Sequence, residues 1–313
     1  MLNAAENLAE AGKVNVKIVN YNGWRNSFIL NNGVAEVIVV PSIGRIMQFR
    51  LVGEEGVIWE NQAMIGRKVN PKLQDWSNFG GDKSWPAPQS DWPKITPRAW
   101  PPPVAFDSLP LDAAEKEGIL ELTSPVDPHY GIRVIRRIQL SPDNPVMTIT
   151  TRFEKIAGKP VKTSIWIITQ CKDPVGVYVP LPAKSIFAEG YSRQSEGLPS
   201  NLKVSNRMFS LTRGSETNEK IGSDSGTLVW VGARQVLRIN SPRIPNQEYP
   251  DKGSSAEVYT NADPLKYVEL ELLGPLKWLK PGDHMEQTST YTLRRRGSKD
   301  PLSDARKILG LDR

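Results

Sequence analysis

The feature that most restricts this chain is its punctuation. Short runs of β-branched and aromatic residues recur from residue 14 to residue 293, with Gly, Pro, Asn or Asp between them. They lie at 14–19, 35–40, 46–52, 119–123, 132–140, 146–153, 163–171, 175–179, 228–231, 236–239, 267–273 and 288–293. Helical signals are confined to the ends, at 3–11 behind Asn3 and at 303–309 before Gly310. A dozen strands without interior helices predict an all-β protein, a large sandwich or barrel. Strand–helix alternation is missing, which disfavours a parallel sheet, and no sequence repeat supports a propeller.

One stretch breaks the rhythm. Residues 60–110 carry nine prolines together with Trp76, Trp85, Trp92 and Trp100. Four indoles need something to pack on, so this reads as an ordered, proline-stiffened loop covering part of a sheet. Nothing in the charge pattern marks a linker. The expected organisation is an N-terminal extension with the first strand at 1–20, one β domain at 21–296, and a tail with a short helix at 297–313.

Composition excludes several classes of function. A single Cys, Cys171, permits no internal disulfide and no cysteine-rich zinc site, and two distant histidines make a multi-His metal centre unattractive. No metal or cofactor is expected. The net charge of +6 hints at anionic partners, but the one dense basic run, 294–296, reads as a solvated strand end, and no nucleic-acid-binding signature accompanies it. No apolar run reaches the ~20 residues of a membrane span. With no cleavable leader at Met1 the chain as given reads as cytoplasmic, or periplasmic if an export signal has been removed. The oligomeric state is not legible.

Three segments offer chemistry. The run Asn78-Phe-Gly-Gly-Asp82-Lys83-Ser-Trp85-Pro-Ala-Pro-Gln89 puts an acceptor, a donor, an indole and an amide beside two glycines. Sugars are held by such sets, or the Asp and Lys simply pair in a turn. In 267–273 the alternation places Tyr267, Glu269 and Glu271 on one face and Val268, Leu270 and Leu272 on the other. Two carboxylates on one strand face suit acid–base work if that face lines a groove; the alternative is a solvated face paired with Lys or Arg. In 166–171, Trp166, Ile168 and Gln170 share a face that fits a sugar groove or any half-buried strand. His129, in a turn before a strand, is the mid-chain histidine able to act near neutral pH.

The order of these segments resembles the galactose mutarotase-like superfamily. The stretch Val37-Ile-Val-Val-Pro41-Ser-Ile-Gly44-Arg45-Ile46 resembles its opening strand and turn. Gly80-Gly81-Asp82-Lys83-Ser84-Trp85-Pro86 resembles the Gly-Gly loop of the hexose-6-phosphate epimerase branch. Tyr267 to Glu271, followed by Leu279-Lys-Pro-Gly-Asp283, resembles the late strand that carries the catalytic glutamate. The resemblance spans roughly residues 20 to 295. It implies a supersandwich of two large antiparallel sheets with a concave sugar groove, an activity like that of aldose 1-epimerases, and a small-molecule carbohydrate as partner. The glutamate maps onto Glu271, with Glu269 as the alternative base, while the family's histidine has no counterpart on the strand bearing Trp166 and Gln170. His129 or Lys83 would have to replace it. The implied binding set is Arg45, Asp82, Lys83, Trp85, Gln89, Trp166, Gln170 and Tyr267. A non-catalytic carbohydrate-binding protein on the same scaffold is the other expectation.

Overall fold

The computed structural model describes residues 14–69 and 76–311, so the helix expected at 3–11 lies outside the described residues. Two large sheets face each other. The first has eleven strands, in spatial order β1 (Asn15–Tyr21), β2 (Trp24–Asn31), β3 (Ala35–Val40), β4 (Arg45–Leu51), β5 (Asp82–Ala87), β10 (Val161–Lys172), β19 (Tyr267–Leu273), β18 (Ala256–Thr260), β15 (Glu219–Ser223) and β12 (Ser192–Arg193). Strand β20 (Lys277–Leu279) pairs with the start of β10. The second has ten, in the order β13 (Lys203–Ser205), β14 (Met208–Leu211), β11 (Gly176–Pro180), β16 (Thr227–Val231), β17 (Gln235–Asn240), β21 (His284–Arg295), β9 (Val146–Lys155), β8 (Ile132–Leu140), β7 (Ile119–Thr123) and β6 (Asp112–Lys116). The architecture is the expected supersandwich. Among the described residues no helix is long and apolar enough to cross a membrane.

Alternation builds the second sheet. Along β21 every other residue from Met285 to Leu293 is buried while its neighbours reach outward, which is a sheet with one dry face. The outer face is covered locally by α3 (Pro301–Leu309), whose Ala305 and Ile308 pack on Tyr178, Val229, Val231 and Val236. Asp300 caps this helix through the N–H groups of Leu302 and Ser303, and Gly310 closes it at φ 70°. The helix begins two residues before the expected 303–309, because Pro301 suits a first turn.

In the first sheet, β10 is buried on both faces over Thr163–Cys171. Its inner face meets the second sheet, and its outer face lies under the tryptophan-rich segment. That segment is not entirely a loop: β5 lies within 60–110 and pairs with β10 at the middle of the sheet. Pro86 and the preceding glycines hide it in the sequence, since proline is ordinarily kept out of central strands. Two short helices, α1 (Trp92–Ile95) and α2 (Val104–Asp107), follow it. Gly80 is required where the segment enters the sheet. Its φ is +88°, and a Cβ there would stand 2.2 Å from the carbonyl oxygen of Trp59.

Candidate functional site

Register assigns each side chain on the central strands to one of two faces. Ile168 of β10 lies between Lys83 on β5 and Glu271 on β19, and Gln170 lies opposite Glu269. On the next strand Glu257 is opposite Glu271 and Tyr259 opposite Glu269, and Tyr259 in turn meets Lys220 of β15. The outer face therefore collects Lys83, Trp85, Trp166, Gln170, Tyr267, Glu269, Glu271, Glu257, Tyr259 and Lys220. The inner face of the same strands carries Asp82, Thr169, Cys171, Val268 and Leu270.

The outer face is a charged floor. The Lys220 ammonium is 2.6 Å from Glu257 Oε2 and 2.8 Å from Glu271 Oε2, and it lies 4.4 Å from the Trp166 ring centre. Trp166 Nε1 donates to the same Glu271 oxygen at 2.7 Å. One strand over, Lys83 Nζ is 3.5 Å from Glu269 Oε1 and stands over the Trp85 and Trp76 rings. Burial drives the Lys83 ammonium below the ordinary lysine range, with Glu269 pulling the other way. Burial holds Glu257 well above the ordinary carboxylate range, reinforced by the charges of Glu271 and Asp251 against the pull of Lys220. Glu269 is raised for the same first reason. Burial alone would lower Lys220, but Glu257 and Glu271 outweigh it and hold the ammonium protonated.

Several polar groups here are incompletely satisfied. Lys83 Nζ meets only Glu269, the Glu257 carboxylate meets only Lys220, and both amide atoms of Gln170 are buried without a well-directed hydrogen bond. Native interiors rarely leave such groups unsatisfied, and a ligand or water is the ordinary remedy.

Aromatic rings form the walls. Trp85 makes edge contacts with Trp76, Trp92, Trp100 and Trp166 at centroid distances of 5.4–5.9 Å. Opposite them Trp59 tilts against Tyr267 at 4.5 Å, with Tyr259 beyond. Asp107 ties the first wall to the sheet: its Oδ1 accepts from Arg45 Nη2 at 2.7 Å, Trp85 Nε1 at 2.9 Å and, at 3.4 Å, Trp76 Nε1. Lys220, Tyr259, Trp59 and Trp76 are partly exposed.

Of the residues singled out in the sequence, Glu271, Glu269, Lys83, Trp85, Trp166, Gln170 and Tyr267 come together on this face. Arg45 lies behind the tryptophan wall, engaged by Asp107. Three residues stand elsewhere. Asp82 points to the inner face, where its carboxylate accepts from Thr169 and Tyr291 hydroxyls at 2.6 Å and pairs with Arg136 at 2.5 Å. The period of two turns it away from Lys83. Gln89 is exposed on a short turn past β5, and His129 is exposed on the turn before β8 in the other sheet, its N–H bonded to the Asp127 carboxylate. Neither is brought to the carboxylates. Sequence reasoning missed Glu257, Lys220, Tyr259, Trp59 and Asp107. The alternation Glu257-Val-Tyr259 was a usable signal for two of them.

Comparison with known proteins agrees with this geometry at the level of fold. The family described as "Domain of unknown function (DUF4380)" matches residues 26–294. No curated protein matches the chain. Among solved structures, a candidate aldose 1-epimerase from Escherichia coli K12 is 13% identical with a TM-score of 0.56, covering 90% of this chain and 100% of its own. A candidate aldose 1-epimerase from Klebsiella pneumoniae is 11% identical with a TM-score of 0.58, covering 95% of this chain and 87% of its own. A galactose mutarotase-like protein from Lactobacillus casei is 7% identical with a TM-score of 0.55, covering 86% and 100%. The likeness to all three is one of fold.

Proposed function

The chain belongs to the DUF4380 family and has the galactose mutarotase-like fold, and we propose that its groove binds a sugar and interconverts the anomers of that sugar, with Glu271 as general base. The observation that carries this reading is the facing pair Glu257 and Glu271, on adjacent strands beside the Trp166 indole. Burial raises the proton affinity of Glu257 and the neighbouring Glu271 charge reinforces it, which suits Glu257 to give a proton while Glu271 takes one. Glu257, raised by burial, is the acid.

The sequence of events is balanced. Glu271 takes the proton of the anomeric hydroxyl as Glu257 protonates the ring oxygen. The C1–O5 bond breaks and an open-chain aldehyde forms. C1 rotates about its bond to C2, the O5 hydroxyl attacks the other face of the aldehyde and gives its proton back to Glu257, and Glu271 returns its proton to the new anomeric oxygen. Lys220 steadies the negative charge on the pair, and the indole walls take the apolar face of the ring. Glu257 fills the place for which the sequence offered His129 or Lys83, and Lys83 remains on the floor as a hydrogen-bond donor.

The test is anomer exchange by NMR on a panel of free hexoses, uronates and sugar phosphates. Acceleration by the native protein and its loss in Glu271→Gln are expected. Saturable binding with no acceleration for any sugar would leave a carbohydrate-binding protein in its place.

A further inference from the structure

The turn that leads into β18 is held in an unusual backbone conformation. Asp251, Lys252 and Gly253 have φ values of +50°, +62° and +95°, the one run of three positive values among the described residues. Two of the three are not glycine, and side chains at positive φ carry a cost that surrounding contacts must hold in place. Those contacts are present. The Asp251 carbonyl accepts from Gln194 Nε2 and from Ser254 Oγ, each at 2.8 Å. The Gly253 carbonyl accepts from Arg243 Nη1 at 2.8 Å, and Lys252 Nζ donates to the Arg193 carbonyl.

Gly222 shows where the turn lies. It belongs to β15, two residues after Lys220 on the outer face, and stands opposite Glu257. A Cβ there would be 2.1 Å from Ser254 Oγ and 3.0 Å from Gln194 Nε2. The missing side chain lets the turn settle on the floor beside Glu257 and Lys220. Gln194 completes the fit, its N–H donating to the Lys220 carbonyl at 3.1 Å while its side-chain amide holds the Asp251 carbonyl. The Asp251 carboxylate takes no part in this scaffolding. It belongs to a half-buried residue, and its charge bears on Lys220, Glu257 and Glu271. Yet it accepts no hydrogen bond and makes no direct ion pair among the described residues. A fixed backbone with an unengaged acceptor suits a residue kept for a ligand.

We propose that Asp251 is a specificity-determining residue of the groove, accepting a hydrogen bond from the exocyclic hydroxymethyl group of the sugar, so that the substrate class is a hexopyranose with a free 6-hydroxyl. This rests on the sugar-site reading above and names the substrate class for it. In that reading Glu271 meets the anomeric oxygen and Glu257 the ring oxygen. Continuing across the floor from β19 through β18 to β15, at about 4.8 Å per strand, leads past the ring oxygen to C5 and its hydroxymethyl group. Asp251 stands on that side, in the turn seated on β15. A hydroxyl bonded to a carboxylate makes a charge-assisted hydrogen bond. A sugar lacking that hydroxyl leaves the carboxylate covered and unbonded, which is the strongest basis a polar site has for rejecting it.

Titration calorimetry with two matched series tests this: D-glucose, 6-deoxy-D-glucose and D-xylose, and D-galactose, D-fucose and L-arabinose. In the native protein the better-bound hexose should exceed its own 6-deoxy and pentose counterparts by about 10–100-fold. Asp251→Gly should bring both ratios to near one. Glycine takes positive φ freely, so this variant deletes the carboxylate and keeps the turn, and its urea midpoint should not fall. Asp251→Asn, which also tolerates this backbone, keeps one acceptor without the charge and should give intermediate ratios. Ratios near one in the native protein, or ratios that survive both substitutions, overturn the assignment of Asp251 and leave the sugar site standing. Equal loss of affinity for hexose and 6-deoxyhexose in both variants means that the turn only shapes the groove, and overturns it likewise. Saturation by none of the six sugars overturns both.

Discussion

The two faces of β5, β10 and β19 carry polar groups in opposite conditions. On the inner face Asp82 is saturated: Arg136, Thr169 and Tyr291 converge on its two oxygens from both sheets. On the outer face Lys83, Gln170 and Glu257 are as deeply buried and are less completely bonded, Lys83 meeting only Glu269 and Glu257 only Lys220. Adjacent residues 82 and 83 thus serve different ends, one joining the sheets and one lying on the face proposed to hold a sugar. The difference is one of degree, since Arg136, the cation of the inner pair, also keeps a buried Nε without an acceptor.

If that contrast holds, changes on the inner face should act on folding and changes on the outer face on chemistry. The largest effect is expected for Arg136→Met, which leaves the Asp82 carboxylate buried without its cation. It should lower stability in urea by about 3–5 kcal/mol. A loss of under about 1 kcal/mol would break the comparison. Glu271→Gln should instead reduce anomer exchange by about 10²–10⁴-fold while the urea midpoint moves little by comparison. Next comes the wall. Trp76→Ala, at a half-exposed ring, should weaken sugar binding by about 1–3 kcal/mol by calorimetry. Trp85, nearly wholly buried among four other indoles, is the wrong residue for that test because its loss also opens the core.

The smallest effect is electrostatic. Glu257 binds its proton more tightly folded than unfolded, so its contribution to stability is whole below its ordinary value of 4.5 and fades as pH rises through the higher folded value. Lys83 works in the opposite sense, since its lowered folded affinity adds stability as pH rises toward 10.5. Comparison with Glu257→Gln cancels the lysine. Native stability should fall relative to the variant above pH 4.5, by up to about 1.4 kcal/mol for each tenfold by which folding tightens the hold of Glu257 on its proton. A constant difference across pH 4–9 would mean that folding does not tighten the hold of Glu257 on its proton.

The sequence exposed this site unevenly, for physical reasons. Strand β19 was legible because seven residues alternate cleanly, and Tyr267, Glu269 and Glu271 came with the pattern. Trp166 and Gln170 followed by the same rule. Strands β15 and β18 were not found, and with them Lys220 and Glu257. They are five residues each, and Gly222 and Ser223 dilute the first. Asp82 was placed with Lys83 because a loop was expected there, and only the strand period separates them. Asp107 could not be read at all, since its partners lie 22 and 62 residues away. Arg136 occupies an inward position in an otherwise apolar alternation, which marks a buried charge without naming its partner.

The tryptophan wall also makes the protein its own optical probe. Five of the nine tryptophans, residues 76, 85, 92, 100 and 166, form one edge-on network over the floor. Rings this close couple their excited states, so near-ultraviolet circular dichroism and emission should carry a strong contribution from this patch. Trp76 and Trp166 border the two lysines directly, and their spectra sense the charge beside them. On the proposed reading, entry of a colourless sugar would register in the absorption and emission of the native chain, with no label attached.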